Sequence, residues 1–279
     1  MPVFMLKYLR RAFLMGVYFT EAWNMDDNKK GTMTYTFLIV ALVLAATVYF
    51  VPLDISSDEN FNKLFKDIII RLIVFATLCF VVVAFGLKSL LHFKKPTKRA
   101  LPVLFAAVFV ALVNFPLHAL IVGSAKIDDG VMCVTLAAEC VAVAAMEELF
   151  FRGILFEAVA DKLKGKKNAV FFQVIISAAA FSLFHLLNLL SGAGIGATAL
   201  QVLYTFLLGC LFATLKQATG CIWYGAIVHA VFNFGGNVVF YAGSGHFQDK
   251  FFWIATVLVG LLAGVITLLT LSSENRKEN

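Results

Sequence analysis

Eight apolar stretches, each close to the length of a membrane crossing, dominate the chain: about 33–53, 68–92, 101–123, 131–155, 168–190, 197–215, 221–241 and 251–272. A helix of roughly 20 residues spans the ~30 Å hydrocarbon core of a bilayer, and inside lipid only helices and closed barrels satisfy their own backbone. Runs this long and continuous fit helices, so the expected fold is all-α, a polytopic transmembrane bundle of about eight spans. Composition agrees: 61% of the residues are apolar and only 14% charged, against about 25% charged in a soluble domain. A water-soluble globule is excluded. The 29 Phe suit helices that face lipid.

The polar flanks organise the rest. Residues 1–32 interleave Lys7, Arg10 and Arg11 with Phe4, Leu6, Leu9, Phe13 and Leu14, the pattern of an amphipathic helix lying at the membrane surface. No small-residue cleavage site follows, so a signal peptide is not expected. Residues 33–123 then read as N-terminal transmembrane helices, 131–241 as the functional core, and 251–279 as a last crossing with a polar tail. Basic residues crowd alternate loops: Lys94, Lys95, Lys98 and Arg99 in one, Lys162, Lys164, Lys166 and Lys167 in another, with Lys126 alone between them. That alternation puts both termini in the cytoplasm. It also accounts for the net charge of +6 as a topology signal, with no nucleic acid as partner. Cys79, Cys133, Cys140, Cys210 and Cys221 form no CxxC pair and read as small buried hydrophobes, neither a zinc ribbon nor a disulfide framework.

Within this apolar background stand three short polar words: Glu147-Glu148-Leu149-Phe150-Phe151-Arg152, Phe181-Ser182-Leu183-Phe184-His185 and His229-Ala230-Val231-Phe232-Asn233. An ionisable side chain near the middle of a transmembrane helix costs about 2.5–3.5 kcal/mol on insertion scales, so such residues mark function by default. Adjacent helical residues diverge by about 100°, so the two carboxylates do not share a face. Arg152 lies four positions after Glu148, where a helical ion pair closes, which leaves Glu147 without a local cation and available as a general base. Phe181 can stack over His185 one turn away. His229 and Asn233, also four apart, can aim two donors at one oxygen, as an oxyanion hole requires. A water between Glu147 and His185 would be the nucleophile, and together the parts describe hydrolysis of an acyl bond within the membrane.

At these words the chain resembles the CAAX prenyl endopeptidase/bacteriocin-processing superfamily, the ABI family of intramembrane glutamate proteases, over about residues 131–241. The family pattern is Glu-Glu-x-x-x-Arg, Phe-x-x-x-His and His-x-x-x-Asn on successive helices, and all three words are complete here. The resemblance implies that Glu147 activates the catalytic water and His185 helps hold it. His229 and Asn233 would stabilise the oxyanion, with Glu148, Arg152 and Phe181 in support and no catalytic metal or other cofactor. It also implies an endopeptidase acting on a membrane-associated peptide or protein, either of prenylated CAAX type or bacteriocin-like.

Three other readings share these residues. Two His and a Glu could complete a zinc shell with a position open for water, although no His-Glu-x-x-His word occurs. A proton-coupled transporter would use the same residue types but should show an internal repeat, and none is visible. A non-catalytic immunity or scaffold protein would keep the site by descent alone. Outside the three words, Asn114 and Pro116 are a kink signal in the third stretch, and Gly235-Gly236 points to close helix packing. His118 reads as a helix-end residue, and His92 and His246 fall in or near loops. One expectation conflicts with the site: evenly placed spans put Glu147, His185 and His229 at depths differing by roughly 10–15 Å.

Overall fold

Asp58 opens the first long helix. Its carboxylate accepts the backbone N–H groups of Asn60 and Phe61, satisfying donors that a helix start leaves unpaired. The computed structural model describes residues 39–278 except 41, 51, 54, 248 and 249. The surface helix expected before residue 33 and residues 33–38, 41 and 51 of the first apolar stretch fall outside the described residues; 42–50 are helical.

Helix α1 (Glu59–Ala84) ends at Phe85 and Gly86, the latter at φ +76°. The second apolar stretch, expected at 68–92, is thus displaced toward the N-terminus. The cap at Asp58 starts the helix before hydropathy rises, and the left-handed glycine stops it before hydropathy falls. A 3-10 turn, Lys88–Leu91, follows.

The third stretch is not one helix. It breaks at Asn114-Phe115-Pro116 into α2 (Leu101–Val113) and the short α3 (Leu117–Ile121). Proline supplies no N–H and disfavours helix in the residue before it. At 13 residues α2 is about 20 Å long, short of a full crossing.

Strand β1 (Ala125–Ile127) pairs antiparallel with β2 (Gly243–Gly245), tying two loops together at one end of the bundle. Beside them the Lys126 ammonium (2.9 Å) and the Ser244 hydroxyl (3.0 Å) hold the exposed Asp128 carboxyl below the usual carboxylate range. Asp129 then caps α4 (Gly130–Glu148), which runs through a wide π-helical turn, Leu149–Leu155, into α5 (Phe156–Leu163). The result is one 34-residue rod, Gly130–Leu163, that runs past the expected end at 155. Helix α6 (Ala169–Phe184) extends as a 3-10 turn, His185–Ser191, until Gly192 at φ +85°. Helices α7 (Ile195–Thr219), α8 (Ile222–Ala242) and α9 (Lys250–Glu278) complete the chain.

Among the described residues six helices are long and apolar enough to cross a membrane: Glu59–Ala84, Gly130–Leu163, Ala169–Ser191, Ile195–Thr219, Ile222–Ala242 and Lys250–Leu271. The protein is an all-α polytopic membrane bundle, and the described part accounts for six of the eight expected spans. The rod of α4 and α5 is central. It packs on α1 and α8 along α4 and on α6 along α5, while α7 lies against α6 and α9. Helices α1 and α4 run in the same direction, because Leu64 clusters with Met132 and Leu136 whereas Val82 clusters with Leu149. The broken third stretch supplies the return. Asn114 donates its side-chain amide to the Phe232 carbonyl on α8 (2.7 Å). Close packing at Gly235-Gly236 is what the structure has: a Cβ at 235 would stand 2.5 Å from the Phe115 ring, and one at 236 would stand 2.7 Å from Asn114 Nδ2.

Candidate active site

Glu139, Val143 and Glu147 follow one another at four-residue steps along α4 and line one wall of a cavity of about 410 Å³. His185, His229, Asn233 and Phe181 line the same cavity. Immediately beyond Glu147 and Glu148 the helix widens. Two side chains of α6 enter beside the wide turn: Ser177 donates its hydroxyl to the Phe151 carbonyl and Gln173 its amide to the Phe156 carbonyl, both at 2.9 Å. Gln173, Ser177, Phe181 and His185 therefore form one stripe, stepping by four, that grips the rod and ends at the cavity.

Behind the cavity lies a buried ion network. Arg152 is 0% exposed and Glu148 1%. The Arg152 guanidinium donates from Nη1 to Glu148 Oε1 (2.9 Å) and from Nη2 to the Gly209 carbonyl (3.2 Å), and it lies 4.2 Å from the Phe181 ring centroid. The expected i,i+4 pair is thus present, with an aromatic face and a backbone carbonyl added to it. Glu148 Oε1 also meets His229 Nδ1 at 3.2 Å. A carboxylate only accepts, so His229 carries its hydrogen on Nδ1 and turns Nε2 toward the cavity. There Nε2 stands 3.7 Å from Glu147 Oε2. Glu147, without a local cation on its own helix, thus has a neighbour of potential positive charge on α8. A cation on another helix cannot be read from local spacing.

Two aromatic rings hold His229: Phe212 stacks on it (5.1 Å, 25°) and Phe181 meets it perpendicularly at 88°. His185 bonds through Nδ1 to the Phe181 carbonyl (2.9 Å), which fixes that hydrogen on Nδ1 and leaves Nε2 as an acceptor. The Phe181 ring meets His185 edge to face at 84°, not stacked as the spacing suggested; the ring's face is occupied by Arg152. Three residues further along the 3-10 turn, Asn188 donates to Gln201 Oε1 on α7 (2.8 Å), holding the turn that carries His185.

The conflict in depth is removed by the long rod. Glu147 stands sixteen residues before Leu163, and His185 sixteen residues after Ala169, so the turn between those helices places both about 24 Å from it. His229 lies only seven residues into α8, which begins nearer the cavity than that turn does. The hairpin of α5 and α6 projects past the start of α8, and evenly placed spans were the wrong premise.

Two glycines let this network close. A Cβ at Gly225 would stand 3.0 Å from Glu148 Oε2, and one at Gly209 would stand 3.1 Å from the Ala178 Cα and 3.3 Å from Arg152 Nη2. The Gly209→Ala substitution meets backbone and is expected to destabilise the protein by about 1–3 kcal/mol, read as a lowered thermal midpoint in detergent. Sequence reasoning passed over Gly209, Gly225, Gln173 and Ser177. The four-residue step from Gln173 to His185 was the available signal for the last two.

Among the described residues no three His, Cys, Asp or Glu side chains are grouped so as to hold a metal ion.

Residues 129–235 match the family described as type II CAAX prenyl endopeptidase Rce1-like, a stretch that contains all three polar words. Comparison with curated proteins and with solved structures gives no match.

Proposed function

We infer, from a chain that carries a type II CAAX prenyl endopeptidase Rce1-like domain at residues 129–235, a membrane endopeptidase whose water is activated by Glu147. The family implies CAAX-type peptide hydrolysis on a membrane-associated protein. The carrying observation for the mechanism is that Glu147, His185, His229 and Asn233 line one cavity while Glu148 and Arg152 lie buried behind it.

In this reading Glu147 and His185 Nε2 hold a water between them. Glu147 takes a proton as the water oxygen bonds to the scissile carbonyl carbon, and the carbonyl electron pair moves onto oxygen. Asn233 donates to that oxyanion through its amide. His229, held at Nδ1 by the Glu148 carboxylate, presents Nε2 to the same oxygen and donates to it when the ring carries both protons. As the intermediate collapses the C–N bond breaks, and the proton on Glu147 passes to the leaving nitrogen. A new carboxylate and a free amine result, and Glu147 is restored. Glu148, Arg152 and Phe181 are positioning residues: Glu148 holds His229, the Phe181 carbonyl holds His185, and Arg152 holds Glu148 and Phe181.

The substrate class that fits is a prenylated protein cut three residues from its end. The lipid stays in the bilayer while the peptide enters the polar cavity, and the charged loops orient both termini of the enzyme to the cytoplasm. The test is cleavage of a quenched fluorescent farnesylated CAAX peptide by the purified chain in detergent, with and without a zinc chelator. Chelator-resistant cleavage is expected. Loss of cleavage on chelation would favour a metal hydrolase, and no turnover of lipidated or unlipidated peptide would favour a non-catalytic protein. His185→Ala is expected to lower kcat by roughly 10²–10⁴-fold in the same assay, the ordinary worth of positioned acid–base help.

A further inference from the structure

The cavity does not end at the reacting residues. Two turns back along α4 from Glu147 it is lined by Glu139, and opposite, on α1, by Lys63, Asp67 and Arg71. These three fall at four-residue steps on one face of α1. The Arg71 guanidinium lies within ion-pair distance of Glu139 (3.1 Å) and Asp67 (3.5 Å), yet it is hydrogen-bonded to no described residue. One edge of the guanidinium thus faces each carboxylate, and the side chain, about a quarter exposed, lines the cavity with further N–H donors to offer. Lys63, exposed and two turns nearer the Asp58 cap, makes no ion pair with any described residue. Neither cation belongs to the reacting set, and both lie outside the stretch that matches the family.

We propose that Arg71, assisted by Lys63, binds the free C-terminal carboxylate of the peptide. The inference rests on the peptidase reading above and adds a second anchor to it. Length supports it: eight residues of α4 separate Glu139 from Glu147, about 12 Å along the axis. Three extended residues span about 10 Å, so a carboxylate three residues beyond the scissile bond reaches the level of Arg71. Chemistry supports it as well, because a planar guanidinium takes a carboxylate through two parallel bonds. Asp67 and Glu139 then serve to hold Arg71 across the α1–α4 contact while leaving its remaining donors for the ligand. A substrate with a blocked end would forfeit this contact and bind through its lipid and backbone alone.

The experiment compares two farnesylated peptides of identical sequence, one ending in a carboxylate and one in a carboxamide, on the full chain in detergent. The intact protein is expected to prefer the carboxylate by about ten- to a hundredfold in kcat/KM, carried mainly by KM. Arg71→Gln should bring the two peptides within about twofold, and Lys63→Gln should narrow the preference severalfold. Loss of a merely structural contact would lower both peptides alike and keep their ratio. Should Arg71→Gln fail to fold, Lys63→Gln decides alone. Equal cleavage of the two peptides by the intact protein, or an unchanged ratio in the folded variants, overturns the subsite and leaves the peptidase reading standing. Cleavage of neither peptide overturns the peptidase reading, and the subsite with it.

Discussion

Glu147→Gln is expected to bring peptide cleavage down by roughly 10²–10⁴-fold, to background in a fluorescence assay, while the protein melts where the parent does. The amide keeps the shape of the carboxylate but cannot accept the proton that the attacking water must lose. Stability should be little affected because the ion-pair neighbour of this carboxylate, His229 Nε2, stands 3.7 Å away, beyond a hydrogen bond. The two readouts are single-turnover cleavage and thermal unfolding of the same detergent-solubilised sample. Cleavage by a folded Glu147→Gln protein within tenfold of the parent would sink the assigned base.

Arg152→Ala should do the opposite, damaging the fold first. The guanidinium and the Glu148 carboxylate are buried together, and Glu148 Oε2 has no partner among the described residues. Removing one member of such a pair strands the other charge and costs about 3–5 kcal/mol. Arg152→Lys is not expected to rescue it. A single ammonium cannot meet Glu148 Oε1 and the Gly209 carbonyl in one plane while lying flat over Phe181. Thermal midpoints of the two variants check this, and a midpoint for Arg152→Ala within a few degrees of the parent would contradict it. Glu148→Gln, which keeps a neutral acceptor of the same shape, should melt above Arg152→Ala yet cleave poorly, because the partner that fixes His229 has changed.

The three polar words were legible because each is local. Glu148 and Arg152 are neighbours on one helix, and four-residue spacing reports that directly. The bond from Glu148 to His229 is not of that kind: 81 positions separate them, and only the packing of α8 on α4 brings them together. The same holds for Arg152 and Gly209. Hydropathy located the apolar stretches but not their ends, since caps and left-handed glycines set those. Asp58 moved the start of α1 well ahead of the apolar run, and Pro116 divided a stretch that hydropathy reads as continuous. Misjudged ends were also the source of the apparent conflict in depth, for a rod that outruns its neighbour by several turns is invisible to an average span length.

The π-helical turn at Leu149–Leu155 gives this architecture an uneven tolerance of insertions and deletions. A wide turn bonds each residue five ahead instead of four, so it carries surplus chain that a regular helix would not accommodate. Loss of one residue there would remove the surplus and tighten the ladder to a regular α-helix with α5 kept in phase, whereas loss of one residue from the regular part of α4 or α5 would swing everything after it by about 100°. In the tightened turn the Phe151 and Phe156 carbonyls, which accept from Ser177 and Gln173, would be drawn back into the ladder. The same deletion in the 164–168 turn would only shorten a solvent-facing bend. A deletion scan across 145–170 should therefore cost most where regular helix loses a residue, less within the wide turn, and least in the loop beyond. Phase, more than composition, is what this part of the chain has to preserve.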